Sequence, residues 1–503
     1  MPGGLIQLKA YGAQDLNLTG NPQISFFKTV YRRYTNFAME YYTLFPEVNL
    51  ALSENDTVVY KFDIKRNGDL VNNIYFNFTI PDIYSNENRN FQWIKNLGTS
   101  IIHKVGIFIG GSLIDESYGE WMNIWNELSL DENKKEKYND MIGNTPEFYS
   151  PSLALGNGGY YPEKNKLADT IPSIRGKIIR VPLIFWFNKN SSLALPLIAL
   201  QYNPVSINVE VRKILDLYTI IDINNSSESH KCRIKPSKEN KSYDTKYKIN
   251  NFIKGLDNTN DFEINPYLHI NYIYLGKEEM NKFAKSEHKY LISQVKKNNF
   301  TAVGSATLSL SIHNPVYYMV IVAKRTDIED RNDWNNYTNW INENIPPYSI
   351  TGFNNPYFEK HLDYLDNNTY LLSERVIEKF GNYELKKSPF IIKSMQLKLD
   401  GTDRFANEGF DFFNKSMPYN YSKRIPKDGI YFYSFSLNPF EYQPSGSCNM
   451  SRFSNIELFI ETVESPTIPT NNEKLYKYDI DVYTVNYNIL RIFGGMGNVE
   501  FSN

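Results

Sequence analysis

Apolar residues along the chain fall mostly in short runs of period two, most fully at 180–212, RVPLIFWFNKNSSLALPLIALQYNPVSINVEVR. Residues 181–187 form a continuous apolar, aromatic run too short to cross a bilayer, and 205–211 alternate strictly, so both predict strands. Pro196 between them lacks an N–H and marks a strand edge or bend. Residues 57–64 and 70–80 predict two more strands, and Asn67-Gly68-Asp69 predicts a hairpin turn joining them. At 119–130 the period changes: Trp121, Ile124, Trp125 and Leu128 fall at i, i+3, i+4 and i+7, which predicts one amphipathic helix capping a sheet. Met280, Phe283 and Ala284 predict a short helix before Tyr290, and 306–323 predict two strands broken at Asn314-Pro315.

The pattern occurs twice. YFYSFSL at 431–437, PSG at 444–446 and NIELFI at 455–460 restate the 180–212 stretch, with Ile207, Val209 and Val211 falling on Ile456, Leu458 and Ile460 at an offset of 249. VGIFIGGS at 105–112 matches MQLKLDGT at 395–402 at an offset of 290, each a strand ending in a glycine turn where positive φ is cheap. Tyr272 matches Tyr483 at an offset of 211. The three motifs keep their order, which predicts a chain built from two like units.

Length agrees, because 503 residues are too many for one ordinary core. Aromatics at 15%, with 38 Tyr and 31 Phe, favour pleated sheets and broad packed interfaces, hence an all-β class. A net charge of −2 leaves no basic footprint for nucleic acid or anionic lipid. Two cysteines, Cys232 and Cys448, fit a reducing compartment rather than a disulfide scaffold. Neither a secretory leader nor an apolar run of about 18 residues is present, which predicts a soluble, unexported protein.

The units divide as an N-terminal arm at 1–27, a first domain at 28–297 and a second at 298–503. The arm has too few apolar residues to offset its own ordering and reads as an extended strip laid on a partner. Eight aromatics between Phe26 and Phe45 exceed what one strand needs, so part of that surface is expected to meet another chain or domain. A polar insertion at 220–261 and an Asn-, Tyr- and Pro-rich excursion at 326–387 read as loops.

These stretches resemble the major capsid proteins of the nucleocytoplasmic large DNA viruses. The resemblance runs in family order through GGLIQL at 3–8, YGAQD at 11–15, LTGNPQI at 18–24, VYRR at 30–33, IGG at 109–111 and YGEW at 118–121. It continues through YIYL at 272–275, HKYLI at 288–292, QPSG at 443–446, Cys448-Asn449, VNYNILR at 485–491 and GMG at 495–497. It implies two tandem eight-stranded antiparallel jelly rolls with a few short helices in the connections. It also implies a structural protein forming pseudo-hexagonal homotrimers (capsomers) that tile the icosahedral capsid of a giant virus. The implied partners are neighbouring capsomers, minor capsid and penton proteins and an internal viral membrane near the arm, with assembly in the host cytoplasm. No direct nucleic-acid binding is implied. Residues 220–261 and 326–387 match none of the family's motifs.

No catalytic, cofactor or metal residues are expected. The six histidines include no pair at metal-ligand spacing. Asp115, Glu116 and Glu120 follow a glycine turn and lead into an amphipathic helix, where a solvated face explains them better than acid–base chemistry. Gly156-Asn-Gly-Gly159 lacks the Lys-Ser/Thr of a phosphate loop. Among many Asn-x-Ser/Thr triplets, Asn224, Asn225 and Asn240 are the loop positions best placed for glycosylation. The competing function class is a carbohydrate-binding or glycan-cleaving β-sandwich protein, which requires an aromatic cleft with convergent carboxylates.

Overall fold

The computed structural model describes residues 3–10, 12–13, 15–85, 89–151, 154, 161–162, 171–222, 236, 247–254, 262–339, 390–465 and 475–501. Most of the insertion at 220–261 and of the excursion at 326–387 lies outside them.

Among the described residues eight main strands form the first unit, beside a separate pair Arg89–Trp93 and Tyr218–Asp222: β1 (Phe37–Leu44), β2 (Val58–Ile64), β3 (Leu70–Ile80), β4 (Ile102–Ile109), β5 (Ser112–Tyr118), β6 (Lys177–Pro182), β7 (Val205–Val211) and β8 (Tyr267–Leu275). They pair antiparallel in the orders β1-β8-β3-β6 and β2-β7-β4-β5. Eight more follow: β9 (His288–Val303), β10 (Ala306–Ser309), β11 (Pro315–Arg325), β12 (Ile392–Leu399), β13 (Thr402–Gly409), β14 (Ile430–Ser434), β15 (Ile456–Thr462) and β16 (Tyr478–Phe493). Their orders, β9-β16-β11-β14 and β10-β15-β12-β13, are the first pair shifted by eight strands. Each set is a jelly roll, two sheets with four main strands each, filled by the inward residues of alternating strands; short strands at Leu195–Pro196, Cys448–Asn449 and Met496–Val499 add to the sheets of β3, β11 and β16. β2, β7 and β15 show that alternation without a break, every second residue being buried.

The glycine turns stand as expected. Gly110 and Gly111 have φ of +58° and +84°, and Asp400 and Gly401 have +48° and +81°, so both two-residue loops joining β4 to β5 and β12 to β13 have positive φ at both positions. The predicted helix is Gly119–Ser129, and the short one is Lys277–Lys285. Gly119 allows the helix to start hard against the first roll, because a Cβ there would collide with the carbonyl oxygens of Thr99 and Ile102.

Several expectations change. β2 and β3 lie in different sheets, so 65–69 is a crossing between sheets and not a hairpin turn. Gly68 serves close approach instead: a Cβ would come within 2.9 Å of the Cβ of Tyr272. The aromatic run after Pro182 leaves its strand, and Trp186–Lys189 forms a helical turn with Trp186 and Phe187 buried. Strand registers place Val205 on Ile456, both at the end of the strand opposite Ile109 and Leu399, so the true offset is 251. A slip of two residues keeps every side chain on its face, which is why the pattern alone left it open. The division expected at 297/298 falls inside β9, which pairs with β16 from His288 onward. Within the arm, Gly3–Lys9 and Leu16–Thr19 are helical rather than extended, and Gly3–Lys9 buries no residue.

Candidate functional site at the seam between the rolls

Most of the buried apolar residues of both rolls form one continuous cluster, with Leu70, Ala194 and Ile273 forming a small separate one among the described residues. β11 explains how: from Val316 to Ala323 every residue is buried, so one face fills the second roll and the other meets the first. The helix Gly119–Ser129 fills the space between, with Trp121 stacked on Tyr318 at 6.2 Å and tilted on Tyr483 at 5.3 Å between ring centres.

Among these rings lies a closed set of charges. The Glu120 carboxylate takes Lys324 at 2.8 Å and Lys297 at 3.5 Å, and Asp481 takes the same two ammonium groups at 2.8 and 3.0 Å. Tyr483 donates its hydroxyl to Glu120 at 2.7 Å, and Asn299 donates to Asp481 at 2.6 Å. Only Glu120 comes from the first roll. Burial alone would raise Asp481, but the Lys324 and Lys297 charges outweigh it and hold the carboxyl below the usual carboxylate range. Burial would likewise lower Lys324, yet Glu120 and Asp481 hold it above its ordinary value.

Backbone and amide contacts extend the seam. Gln294 donates to the Ile114 carbonyl at 2.5 Å, the Tyr202 N–H donates to Gly495 at 2.9 Å, and Arg424 pairs with Glu127 and, at 3.1 Å, with Glu132. The segment after β11 crosses to the first roll as a strap. Asn332 donates to the carbonyls of Leu215 and Tyr218 at 2.8 and 2.9 Å, Trp334 donates to Asp216 at 3.0 Å, and the amides of Asn123 and Asn335 join at 3.0 Å. The strap begins at Arg325, which is buried, paired with Asp327 at 2.7 Å and seated 3.6 Å over the Tyr476 ring.

The three carboxylates expected on a solvated face are not there. Asp115 is buried, and burial pushes its carboxyl up to about 7, a rise that Lys189 opposes. Glu116 is half-buried and holds Lys104 at 3.2 Å and the Tyr118 hydroxyl at 2.5 Å. Glu120 belongs to the charge ring. Local periodicity missed this because the charges that claim Glu120 lie 177 and 204 residues away. Asn224, Asn225 and Asn240, like Cys232 and 156–159, lie outside the described residues, while Cys448 is half-buried and free. Among the described residues no three His, Cys, Asp or Glu side chains converge as a metal site, and no helix is long and apolar enough to cross a membrane.

Two joined jelly rolls with matching strand orders narrow the comparison to proteins of that build. The family described as "Major capsid protein N-terminus" matches residues 25–276, and "Large eukaryotic DNA virus major capsid protein" matches 279–498. The chain belongs to the major capsid proteins of the large eukaryotic DNA viruses. This capsid protein is 30% identical to the major capsid protein of Phaeocystis pouchetii virus and 29% identical to that of Paramecium bursaria Chlorella virus 1, each comparison covering 100% of both chains. Its fold matches the crystal structure of VP54 of PBCV-1 with a TM-score of 0.66 at 24% identity, over 95% of this chain and 100% of the other. The Faustovirus major capsid protein matches with a TM-score of 0.62 at 14% identity, over 97% and 96%. It is thus a structural component of a virion capsid with the double jelly-roll fold.

Proposed function

We propose that three copies of this capsid protein close into a capsomer whose six jelly rolls give a pseudo-hexagonal outline, and that such units tile an icosahedral shell assembled in the host cytoplasm. The observation that carries the reading is the seam. One continuous core, a closed charge ring and a strap join two rolls of like strand order, so each chain can supply two rigid, similar corners of one outline. Support comes also from β1, an edge strand exposed along most of its length, and from the segment before it, where Phe26, Phe27, Tyr31 and Tyr34 are more than 80% exposed. That much apolar surface needs a covering partner.

The arm is then the part left to reach minor capsid proteins, penton proteins and the internal membrane, with no direct nucleic-acid contact. A glycan-cleaving role finds less support, since Lys297 and Lys324 occupy Glu120, Lys104 occupies Glu116, and Asp115 is buried. Negative-stain electron microscopy of the purified chain tests the reading. Threefold particles with a near-hexagonal outline are expected, and elongated single double-rolls would refute it.

A further inference from the structure

Phe26 and Phe27 stand on a turn outside both rolls, 91% and 99% exposed, with the Phe27 N–H donating to the Ser25 hydroxyl at 3.3 Å. Two neighbouring rings held out in this way form a knob, wetted on all sides until another surface receives it. A cavity of about 320 Å³ opens at the seam, and its wall includes half-buried Trp125 of the first roll with half-buried Phe440 and Tyr487 and exposed Tyr442 of the second. It is at the scale of a small-ligand pocket and far larger than a packing defect.

Knob and cavity lie at the same end of the molecule. The segment that carries the knob enters β1 at Asn36, whose carbonyl accepts from the Gly276 N–H, and Phe37 pairs with Leu275. Two residues back along β8, Ile273 pairs with Leu70, which pairs with Pro196 and shares the small buried cluster with Ala194. The loop leading to Ala194 borders the cavity through Asn190 and Leu193. Charge fits as well. Lys189 and Lys423 border the cavity together with Glu441, all three exposed, so the rim carries both signs and an uncharged ring suits the aromatic interior. Lys28 follows the knob directly, residues 24–36 contain no acid, and among the described residues neither Lys28 nor Glu441 forms an ion pair.

We propose that in the capsomer Phe26 and Phe27 of one copy fill the seam cavity of the next, with Lys28 set against Glu441 at the rim. The guest comes from a second copy because the chain's own knob stands free of its own cavity. This contact rests on the threefold reading, in which rotation about one axis keeps each knob level with its neighbour's cavity. A knob on one patch and a hole on another make a heterologous contact, which such a rotation closes into a ring. Both rolls wall the cavity, so a seated knob also clamps the neighbour's seam.

Ser25→Cys and Lys423→Cys, in a chain that also carries Cys232→Ser and Cys448→Ser, place one thiol beside the knob and one on the rim. A short bis-maleimide applied to the purified protein, with light scattering in parallel, tests the contact. Denaturing gels should show chains linked in twos and threes, with far less linking in either single-cysteine control. Phe27→Asp should cut the linked fraction several-fold. Lys28→Glu should reduce it too, and adding Glu441→Lys should restore it. Linking only within single chains, or no linking in particles of three-chain mass, would overturn the proposal and leave the threefold reading in place. Undiminished linking in Phe27→Asp would overturn it in the same way. Particles of one-chain mass would overturn the threefold reading and this contact with it.

Discussion

Glu120 sits in the first turn of a helix, where a carboxylate ordinarily favours the helix dipole and faces water, yet its oxygens are taken by Lys297, Lys324 and Tyr483 of the other roll. Glu120→Gln leaves two ammonium groups to share Asp481, and removing one partner from a largely buried ionic set costs about 2 to 4 kcal/mol. Glu116→Gln breaks a more exposed pair with Lys104 and costs under about 1 kcal/mol. Parallel denaturant titrations should show a much lower midpoint for the first variant and a small change for the second. The two buried acids have opposite pH signatures. Asp481, held low, contributes stability that is present above its unfolded value of about 3.9 and lost as pH falls through its lower folded value. Asp115, raised to about 7, keeps a proton in the folded state that the unfolded chain has already lost, so stability falls as pH rises from about 4 to about 7. Asp115→Asn removes that slope. Its melting temperature relative to wild type should be clearly higher at about pH 8 than at about pH 4, and a difference that does not change with pH would show that burial does not govern this group.

Strands and turns were the most legible elements, because alternation sets the inward face and a glycine after β4 or β12 announces the positive φ that the tight loop needs. Alternation says nothing about which sheet a strand joins, so β2 and β3 looked like a hairpin although Gly68 marks a crossing under Tyr272. It also leaves a two-residue register slip open, which is the difference between offsets of 249 and 251. The seam was the least legible part, since its partners are far apart in sequence and its polar residues look locally like a wet helix face. The strap shows the same limit: Asn332 has φ of +52° and reads as a turn residue, while its amide fastens the second roll to two carbonyls of the first. Asn332→Gly keeps the left-handed backbone accessible and deletes only those donations. It should cost about 1 to 3 kcal/mol. Limited proteolysis should then cut near the strap faster than in wild type, and an unchanged digestion pattern would assign the strap no fastening role.

At the scale of the whole molecule the two ends of the design separate. The rolls are locked by one core, whereas the helices Gly3–Lys9 and Leu16–Thr19 and the aromatic segment up to Phe45 lie on the outside, with Phe27 99% exposed. Ordering such an arm costs entropy that only contacts made on assembly offset. Deleting residues 1–23 should therefore leave the melting temperature and the oligomer nearly unchanged and block or misdirect closed-shell formation, as seen by electron microscopy of assembly reactions. Normal shells from the truncated chain would show the arm to be dispensable. The exposed aromatics of 26–45 are predicted to be covered by neighbouring copies. Light scattering on the purified protein at micromolar concentration is the most direct measurement: a mass three times that of the 58.6 kDa chain is predicted, and a stable particle of 58.6 kDa would contradict it.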